Sequence, residues 1–286
     1  MPGSARKRAP TATLSGFEHA PFENAGKRYP VYRKGHGPAV IVLAELPGIT
    51  PQLLGFAERV VATGCTAVLP DLFGTVGWDP WAGNKLYGWA RTLAVTARTC
   101  VRHEFHAFAL GKTSPIVTWL RALAAHEHAH CGGPGVGVVG MCFTGGFALA
   151  MASDPRVLAP VLSQPSLPFS FSHRGQHSID CSAEDLARVA ARCENDGLRL
   201  IGLRFKTDRA SPAERFRFLR EKLGEAFIAV ELPREAGHPD GPLLDPHSVL
   251  TNDLIDEPGE PTRLALEQVL AFFREQLVGH AVQITA

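Results

Sequence analysis

The sequence predicts an α/β fold with a mostly parallel central sheet and helices on both faces. Short apolar runs rich in β-branched residues recur along the chain, as in strands that are buried on both faces. Segments with the apolar spacing of amphipathic helices lie between these runs, and such alternation is typical of α/β proteins. One early strand–helix–strand unit, residues 39–72, has the length of a right-handed crossover between parallel strands.

The N-terminal half supplies the first strands of this sheet. A continuous apolar run predicts a buried strand, and Gly64 ends the helix that follows it. A stretch rich in Gly, Pro and Trp, residues 73–85, predicts an excursion over the sheet. The predicted strands are 28–33, 39–44 and 66–72, and the predicted helices are 53–63, 91–106 and 115–128.

The C-terminal half continues the alternation. Ser211 and Pro212 fit the N-cap and the first turn of a helix. A long loop, residues 233–260, separates the last strand from a closing amphipathic helix. The predicted strands are 136–139, 157–165, 198–205 and 227–232, and the predicted helices are 147–152, 184–194, 212–223 and 261–278.

Composition limits the class of protein. The 286 residues carry a formal net charge of +1, which gives no bias toward nucleic acid, and no apolar run approaches the roughly 20 residues of a membrane span. Residues 1–16 lack the apolar core of a secretory signal and predict a flexible tail before a single domain over 17–286. Six cysteines in a chain of this length do not suggest a disulfide framework. We therefore expect a cytoplasmic monomer or homodimer with reduced thiols.

A candidate nucleophile lies in the turn after the apolar run 136–139. The run ends in Gly140-x-Cys142-x-x-Gly145-Gly146, and a segment of small residues with helical character follows. A strand, a sharp turn and a helix form the setting of a nucleophile elbow, in which the reactive side chain stands at the top of the sheet. Because a helix N-terminus favours an anion, Cys142 is a candidate nucleophile; the alternative is a buried structural cysteine.

Acids and histidines follow other predicted strands. Glu45 comes directly after one strand, Asp208 follows another, and His238 and His247 lie in the long loop after the last strand. Ligands of parallel sheets bind beyond the carboxyl ends of the strands, so we expect these side chains to meet Cys142 there. A thiol, an acid and a histidine suit nucleophilic catalysis, because the histidine accepts the thiol proton and the acid orients the imidazole.

These motifs resemble those of the dienelactone hydrolase family, which has the α/β-hydrolase fold. The resemblance covers roughly residues 31–278, and the order nucleophile, acid, histidine is that of the fold. The cysteine elbow together with a glutamate after the first buried strand is fairly specific. The resemblance rests on Glu45-Leu46-Pro47-Gly48, on residues 67–73, on the elbow 140–146 and on Asp208.

The resemblance implies a role for each residue of the candidate site. Cys142 is then the nucleophile and Asp208 the triad acid, and Glu45 interacts with the nucleophile and helps to control its ionisation. The backbone N–H groups of Leu46 and Phe143 form the oxyanion hole.

Two histidines fit the family pattern. His238 ends an Ala-Gly-His sequence, whereas His247 precedes an apolar run, Ser248-Val249-Leu250, that can anchor the loop. We favour His247 as the base and keep His238 as the alternative, because an anchored ring is pre-organised.

The expected activity is hydrolysis of a small ester, lactone or thioester through an acyl-cysteine intermediate. The family's substrate-binding arginine after the histidine is replaced by Thr251, or by Pro242 if His238 is the base, so we do not expect activity on dienelactone itself. One alternative is a catalytically silent scaffold that binds a ligand or senses redox state through Cys142. Another is a metal site in the histidine-rich segment 126–131. We expect no cofactor and no metal.

Overall fold

The apolar runs form one eight-stranded sheet in the computed structural model, which describes residues 14–105, 111–167, 178–243 and 245–279. The strands are β1 (Glu18–Asn24), β2 (Lys27–Gly35), β3 (Ala39–Leu43), β4 (Thr66–Pro70), β5 (Val136–Met141), β6 (Val157–Ser163), β7 (Leu200–Phe205) and β8 (Phe227–Leu232). Their order across the sheet is β1-β2-β4-β3-β5-β6-β7-β8. β2 is antiparallel to β1 and to β4, and all other pairs are parallel. The sheet is therefore mostly parallel.

Helices cover both faces of the sheet. Alternate residues of β3 enter two separate apolar cores, because successive side chains of a strand point to opposite faces. The first core also receives α3, α4, α5 and α6, and the second receives α1 and α7. The helices are α1 (Pro51–Ala62), α2 (Lys85–Val101), α3 (Ile116–Cys131), α4 (Gly145–Met151), α5 (Ala183–Asn195), α6 (Ala213–Leu223) and α7 (Pro261–Phe273).

Several boundaries differ from those predicted. β1 was not predicted, and α2 begins at Lys85, where the side chain of Asn84 accepts a hydrogen bond from the Tyr87 amide at 3.2 Å. Ser211 does not cap α6: Pro212 occupies the N-cap position, and the buried Ser211 hydroxyl has no hydrogen-bond partner among the residues described above. The last helix changes to π-helical geometry over Arg274–Val278.

Two predictions fall partly outside the described residues. Most of the expected tail, residues 1–16, lies there, and so does the last residue of the helix predicted over 91–106. That helix ends earlier than predicted, at Val101, and a 3₁₀ turn, His103–Phe105, follows it. The tail and the single domain over 17–286 stay predictions. Within the described ranges, no helix is long and apolar enough to cross a membrane.

Candidate active site

The turn after β5 holds Cys142 in a backbone conformation that few side chains adopt. Met141 is still extended, but Cys142 has φ +54° and opens a short 3₁₀ turn that leads into α4. The chain can reverse so sharply because Gly140 has no side chain: a Cβ there would lie 2.2 Å from the carbonyl oxygen of Thr144. The strand, turn and helix place the partly exposed thiol at the C-terminal edge of the sheet.

Thr144 connects this elbow to the neighbouring strand β3. Its buried hydroxyl oxygen accepts a hydrogen bond from the Met141 amide at 2.9 Å and lies 3.1 Å from the Leu43 carbonyl oxygen, to which it can donate. The same residue replaces the glycine that usually ends the elbow motif. The elbow is thus fixed to β3 through a side chain.

The first turn of α4 packs tightly against two other segments. A Cβ at Gly145 would lie 2.6 Å from Pro165, and one at Gly146 would lie 2.7 Å from the Cβ of Asp180. Asp180 is only 3% exposed, and burial raises the pKa of its carboxyl to about 7, although the Ser114 hydroxyl donates to it at 2.6 Å. The elbow therefore rests on a buried acid.

The histidine–acid pair that the sequence left open is formed by His247. Its Nδ1 lies 2.7 Å from Oδ2 of Asp208, both side chains are buried, and the Cys142 side chain lies close enough to influence the charge of the ring. Burial lowers the pKa of His247, but the Asp208 carboxylate and the Cys142 side chain raise it, and the net result lies well above the ordinary value. His247 is therefore placed to hold a proton between the thiol and the acid.

Asp208 is held as a carboxylate in this pair. Burial acts to raise its pKa, but the charge and hydrogen bond of His247 and the N–H groups of Ala210 and Ser211 outweigh it, so that the pKa lies below the ordinary value. The Ala210 amide donates to the second carboxylate oxygen, Oδ1, at 2.9 Å.

His238 lies apart from this pair. Its side chain is exposed, and its Nδ1 accepts a hydrogen bond from the Asp240 amide at 3.2 Å. The two histidines that the sequence offered thus have different environments, one buried against Asp208 and one in a surface turn.

Glu45 is buried beside the histidine rather than exposed at the surface. The Ser248 hydroxyl donates to Oε2 at 2.7 Å, the Thr251 hydroxyl donates to Oε1, and the Gln164 amide lies 3.4 Å from Oε2. Within the described ranges, the hydrogen bonds of this carboxylate go to the segment after His247 and to Gln164. Thr251, which stands where the family has an arginine, is thus turned inward onto an acid.

The expected oxyanion donors lie at the ends of two neighbouring strands. Leu46 follows β3 by three residues, and Phe143 follows β5 by two, in the turn that opens toward α4. The first N–H groups of a helical turn have no partner within it and are free to meet a developing negative charge.

Two further residues of the site were missed by sequence reasoning. Gln164 follows β6, is fully buried and has φ +37°. No motif in the neighbouring sequence predicts this backbone conformation. Arg215 of α6 is also fully buried, and it donates to the carbonyl oxygens of Pro165 at 2.6 Å, Ser178 at 2.7 Å and Ala210 at 2.9 Å.

Arg215 brings a positive charge close to the candidate triad. Burial lowers the pKa of Arg215 to about 10, while the nearby Asp208 and Cys142 oppose this effect. One sequence feature could have identified it: Arg215 lies four residues before Leu219, on the helix face that is otherwise apolar.

The histidine-rich end of α3 forms no comparable site. The His126 and His130 rings stack with centroids 6.4 Å apart, and Nε2 of His128 lies 3.1 Å from the Gly133 carbonyl oxygen. Across the described ranges, no three or more His, Cys, Asp or Glu side chains are grouped to hold a metal ion.

A thiol, a buried histidine and a carboxylate placed together can carry out acyl transfer. The histidine can take the thiol proton, and the carboxylate can stabilise the imidazolium that forms.

The sequence of this chain matches the dienelactone hydrolase family over residues 28–177, which is more than half of its length. No curated protein sequence matches it.

Solved structures with the same architecture include dienelactone hydrolases and esterases. Dienelactone hydrolase from Anabaena variabilis has a TM-score of 0.55 at 13% identity, covering 91% of this chain and 98% of that one. A dienelactone hydrolase-like promiscuous phosphotriesterase from metagenomic libraries has a TM-score of 0.60 at 14% identity, covering 91% and 98%. A cold-adapted esterase from an Arctic intertidal metagenomic library has a TM-score of 0.51 at 15% identity, covering 91% and 92%. At these identities the likeness establishes the fold. With the family match and the cysteine elbow, it follows that this chain belongs to the dienelactone hydrolase family, with the α/β-hydrolase fold.

Proposed function

We propose that this protein hydrolyses a small ester, lactone or thioester through a Cys142–His247–Asp208 triad and a covalent acyl-cysteine intermediate. The observation that carries the proposal is the position of His247, which bonds Asp208 at 2.7 Å through Nδ1 and lies close enough to the Cys142 side chain for that group to raise its pKa. Family membership supports a hydrolase, and the elbow supports cysteine as its nucleophile.

The first half of the proposed reaction acylates the thiol. His247 takes the proton of Cys142 as the sulfur attacks the carbonyl carbon, and a carbon–sulfur bond forms. The carbonyl oxygen becomes an oxyanion that accepts hydrogen bonds from the N–H groups of Leu46 and Phe143. Collapse of this intermediate breaks the bond to the leaving group, which receives the proton from His247.

The second half releases the acid. His247 takes a proton from a water molecule as the water attacks the acyl-cysteine, and collapse of the second oxyanion breaks the carbon–sulfur bond. The proton returns to the sulfur, and Asp208 stabilises the imidazolium in both halves.

We further propose that the acyl group carries no negative charge. The threonine at position 251 donates its hydroxyl hydrogen to Glu45, so it does not face a substrate. Arg215 is fully buried against backbone carbonyl groups, so it acts on the triad and not on a bound carboxylate. Neutral esters and lactones are therefore the first substrates to try.

The test combines turnover with thiol labelling. We expect the wild-type protein to hydrolyse members of a panel of neutral aryl esters, lactones and thioesters, and Cys142→Ala to lose this activity by several orders of magnitude. Iodoacetamide should label Cys142 first and abolish turnover in parallel. Cys193→Ala, which removes a partly exposed thiol on α5, is the matched control and should remain active.

Two results would overturn the proposal. Full activity in Cys142→Ala would remove the thiol from the mechanism. Rapid labelling of Cys142 without turnover of any member of the panel would favour a binding or redox-sensing protein instead.

A further inference from the structure

We propose that Asp253 is a positioning residue of the triad: its carboxylate holds the backbone of the histidine segment and thereby fixes the imidazole between acid and thiol. The proposal rests on the triad function proposed above. A single oxygen, Oδ2 of Asp253, accepts the N–H of His247 and the N–H of Ser248, both at 2.8 Å.

The segment that Asp253 holds is a closed turn. The Asp253 amide donates back to the Ser248 carbonyl oxygen at 3.1 Å, so the residues from 248 to 253 are joined at both ends. Between them, Val249 and Leu250 are fully buried in the apolar core that also contains α1 and α7. The turn therefore has an apolar anchor and a polar one.

Glu45 holds the same turn from the other side. It accepts the hydroxyl hydrogens of Ser248 and Thr251, whereas Asp253 accepts backbone N–H groups. Within this turn, Glu45 therefore bonds only to side chains. Among the described residues, Asp253 is the one whose side chain bonds directly to the backbone of His247. An imidazole turns about only two side-chain bonds, so fixing its backbone goes far toward fixing the ring.

The surroundings of Asp253 indicate that burying its carboxylate costs stability, and the positioning role gives a reason for that cost. The residue is 1% exposed, and its other carboxylate oxygen, Oδ1, is buried with no hydrogen-bond partner among the described residues. Burial raises the pKa of Asp253, although the N–H groups of His247 and Ser248 lower it. A residue that served only to cap this turn would not be expected to keep one buried oxygen without a donor in the described part of the chain.

The backbone of Asp253 also links the two loop histidines. Its carbonyl oxygen accepts the His238 amide at 3.1 Å, and a Cβ at Gly241 would lie 2.3 Å from Oδ1. Gly241 therefore lets the surface turn after His238 approach the buried carboxylate closely. A methyl group there would push the carboxylate away from the His247 amide.

The test compares kcat with KM in variants of this carboxylate. We expect Asp253→Ala to lower kcat 10- to 100-fold with KM changed less than about 2-fold, because a shift of about 1 Å in a reacting group can cost 100-fold in rate. Asp253→Asn keeps an oxygen in the Oδ2 position and should stay within about 3-fold of wild type. Asp240→Ala removes an exposed acid of the neighbouring turn and should leave both constants unchanged.

A second variant covers the case in which Asp253→Ala does not fold. Gly241→Ala retains the Asp253 carboxylate but forces it to shift, because the added Cβ would lie 2.3 Å from Oδ1, and we expect the same selective fall in kcat. Wild-type kcat in a folded Asp253→Ala, or in Gly241→Ala when the first variant is unfolded, would overturn the proposal. A fall in kcat in Asp253→Asn equal to that in Asp253→Ala would also overturn it.

Different results would refute the proposed triad and the proposed positioning role of Asp253. Activity in Cys142→Ala would remove the triad itself. An inactive Cys142→Ala beside a fully active Asp253→Ala would remove only the role of Asp253.

Discussion

Asp180→Asn should abolish a pH dependence of stability that the buried carboxyl of this residue imposes. Asp180 packs against Gly146 in the first turn of α4, and burial raises the pKa of its carboxyl from 3.8 to about 7. One oxygen accepts the Ser114 hydroxyl at 2.6 Å, and the other has no partner in the part of the chain that the structure describes. An asparagine can keep the first contact, but it cannot ionise.

The size of the effect follows from the two pKa values. The stability that this group supplies is fully present below the pKa of the unfolded state, near 3.8, and is lost as the pH rises through the folded value of about 7. Over the interval from pH 5 to pH 8, this loss amounts to about 2 to 3 kcal/mol in the free energy of unfolding. Above pH 8 the curve should be flat with respect to this group.

Urea unfolding, followed by tryptophan fluorescence at pH 5, 6, 7 and 8, measures the effect. The free energy of unfolding of Asp180→Asn minus that of the wild type should rise by about 2 to 3 kcal/mol between the ends of this range. The difference at any single pH also contains the cost of a buried amide N–H without an acceptor, so the slope is the quantity to compare. Glu184→Gln, which removes an exposed acid from α5, should show no slope.

A difference that stays constant from pH 5 to pH 8 would refute this reasoning. It would mean that the carboxyl of Asp180 ionises at the same pH in the folded and unfolded states. Water would then have access to this carboxyl where it packs against the first turn of α4.

Two further predictions concern the elbow and the proposed base. In His247→Ala, kcat/KM on the best ester of the panel should fall by orders of magnitude, whereas in His238→Ala it should stay close to that of the wild type. The reverse pattern would assign the base to His238. Thr144→Val should lower the free energy of unfolding by about 1 to 3 kcal/mol in urea, because a buried backbone N–H loses its acceptor, and an unchanged midpoint would contradict this role of the hydroxyl.

The central strands were predictable because both of their faces are buried. Strands β3, β4 and β5 are entirely buried, so their sequences are continuous apolar runs bounded by turn residues. β1 escaped prediction because it lies at the edge of the sheet with most of its residues exposed, so no apolar period marks it.

The start of α2 escaped prediction for a similar reason. Leu86 and Leu93 are exposed, and Trp89 is partly so. The spacing of these apolar residues therefore does not mark a face turned toward the core, and the Asn84 cap was the only local indication that the helix begins there.

The residues of the candidate site also divide into those that the sequence predicts and those that it does not. Cys142 could be found because the elbow is a local motif, and Glu45 and Asp208 could be found because each follows a strand. The choice between His238 and His247 could not be made from reach along the chain; it depends on which ring the loop buries against Asp208. Gln164, Arg215 and Asp253 act through contacts between distant segments, which no pattern of neighbouring residues contains.

The left-handed backbone at Cys142 restricts which side chains can replace the proposed nucleophile at this position. With φ at +54°, a β-branched residue is a severe steric outlier, so threonine is excluded although its hydroxyl could in principle attack a carbonyl group. Serine differs from cysteine by one atom and has no such branch, so it suits the same backbone. The backbone of the elbow therefore permits an exchange between cysteine and serine and excludes an exchange to threonine. This restriction is steric and applies whatever the chemical reactivity of the side chain.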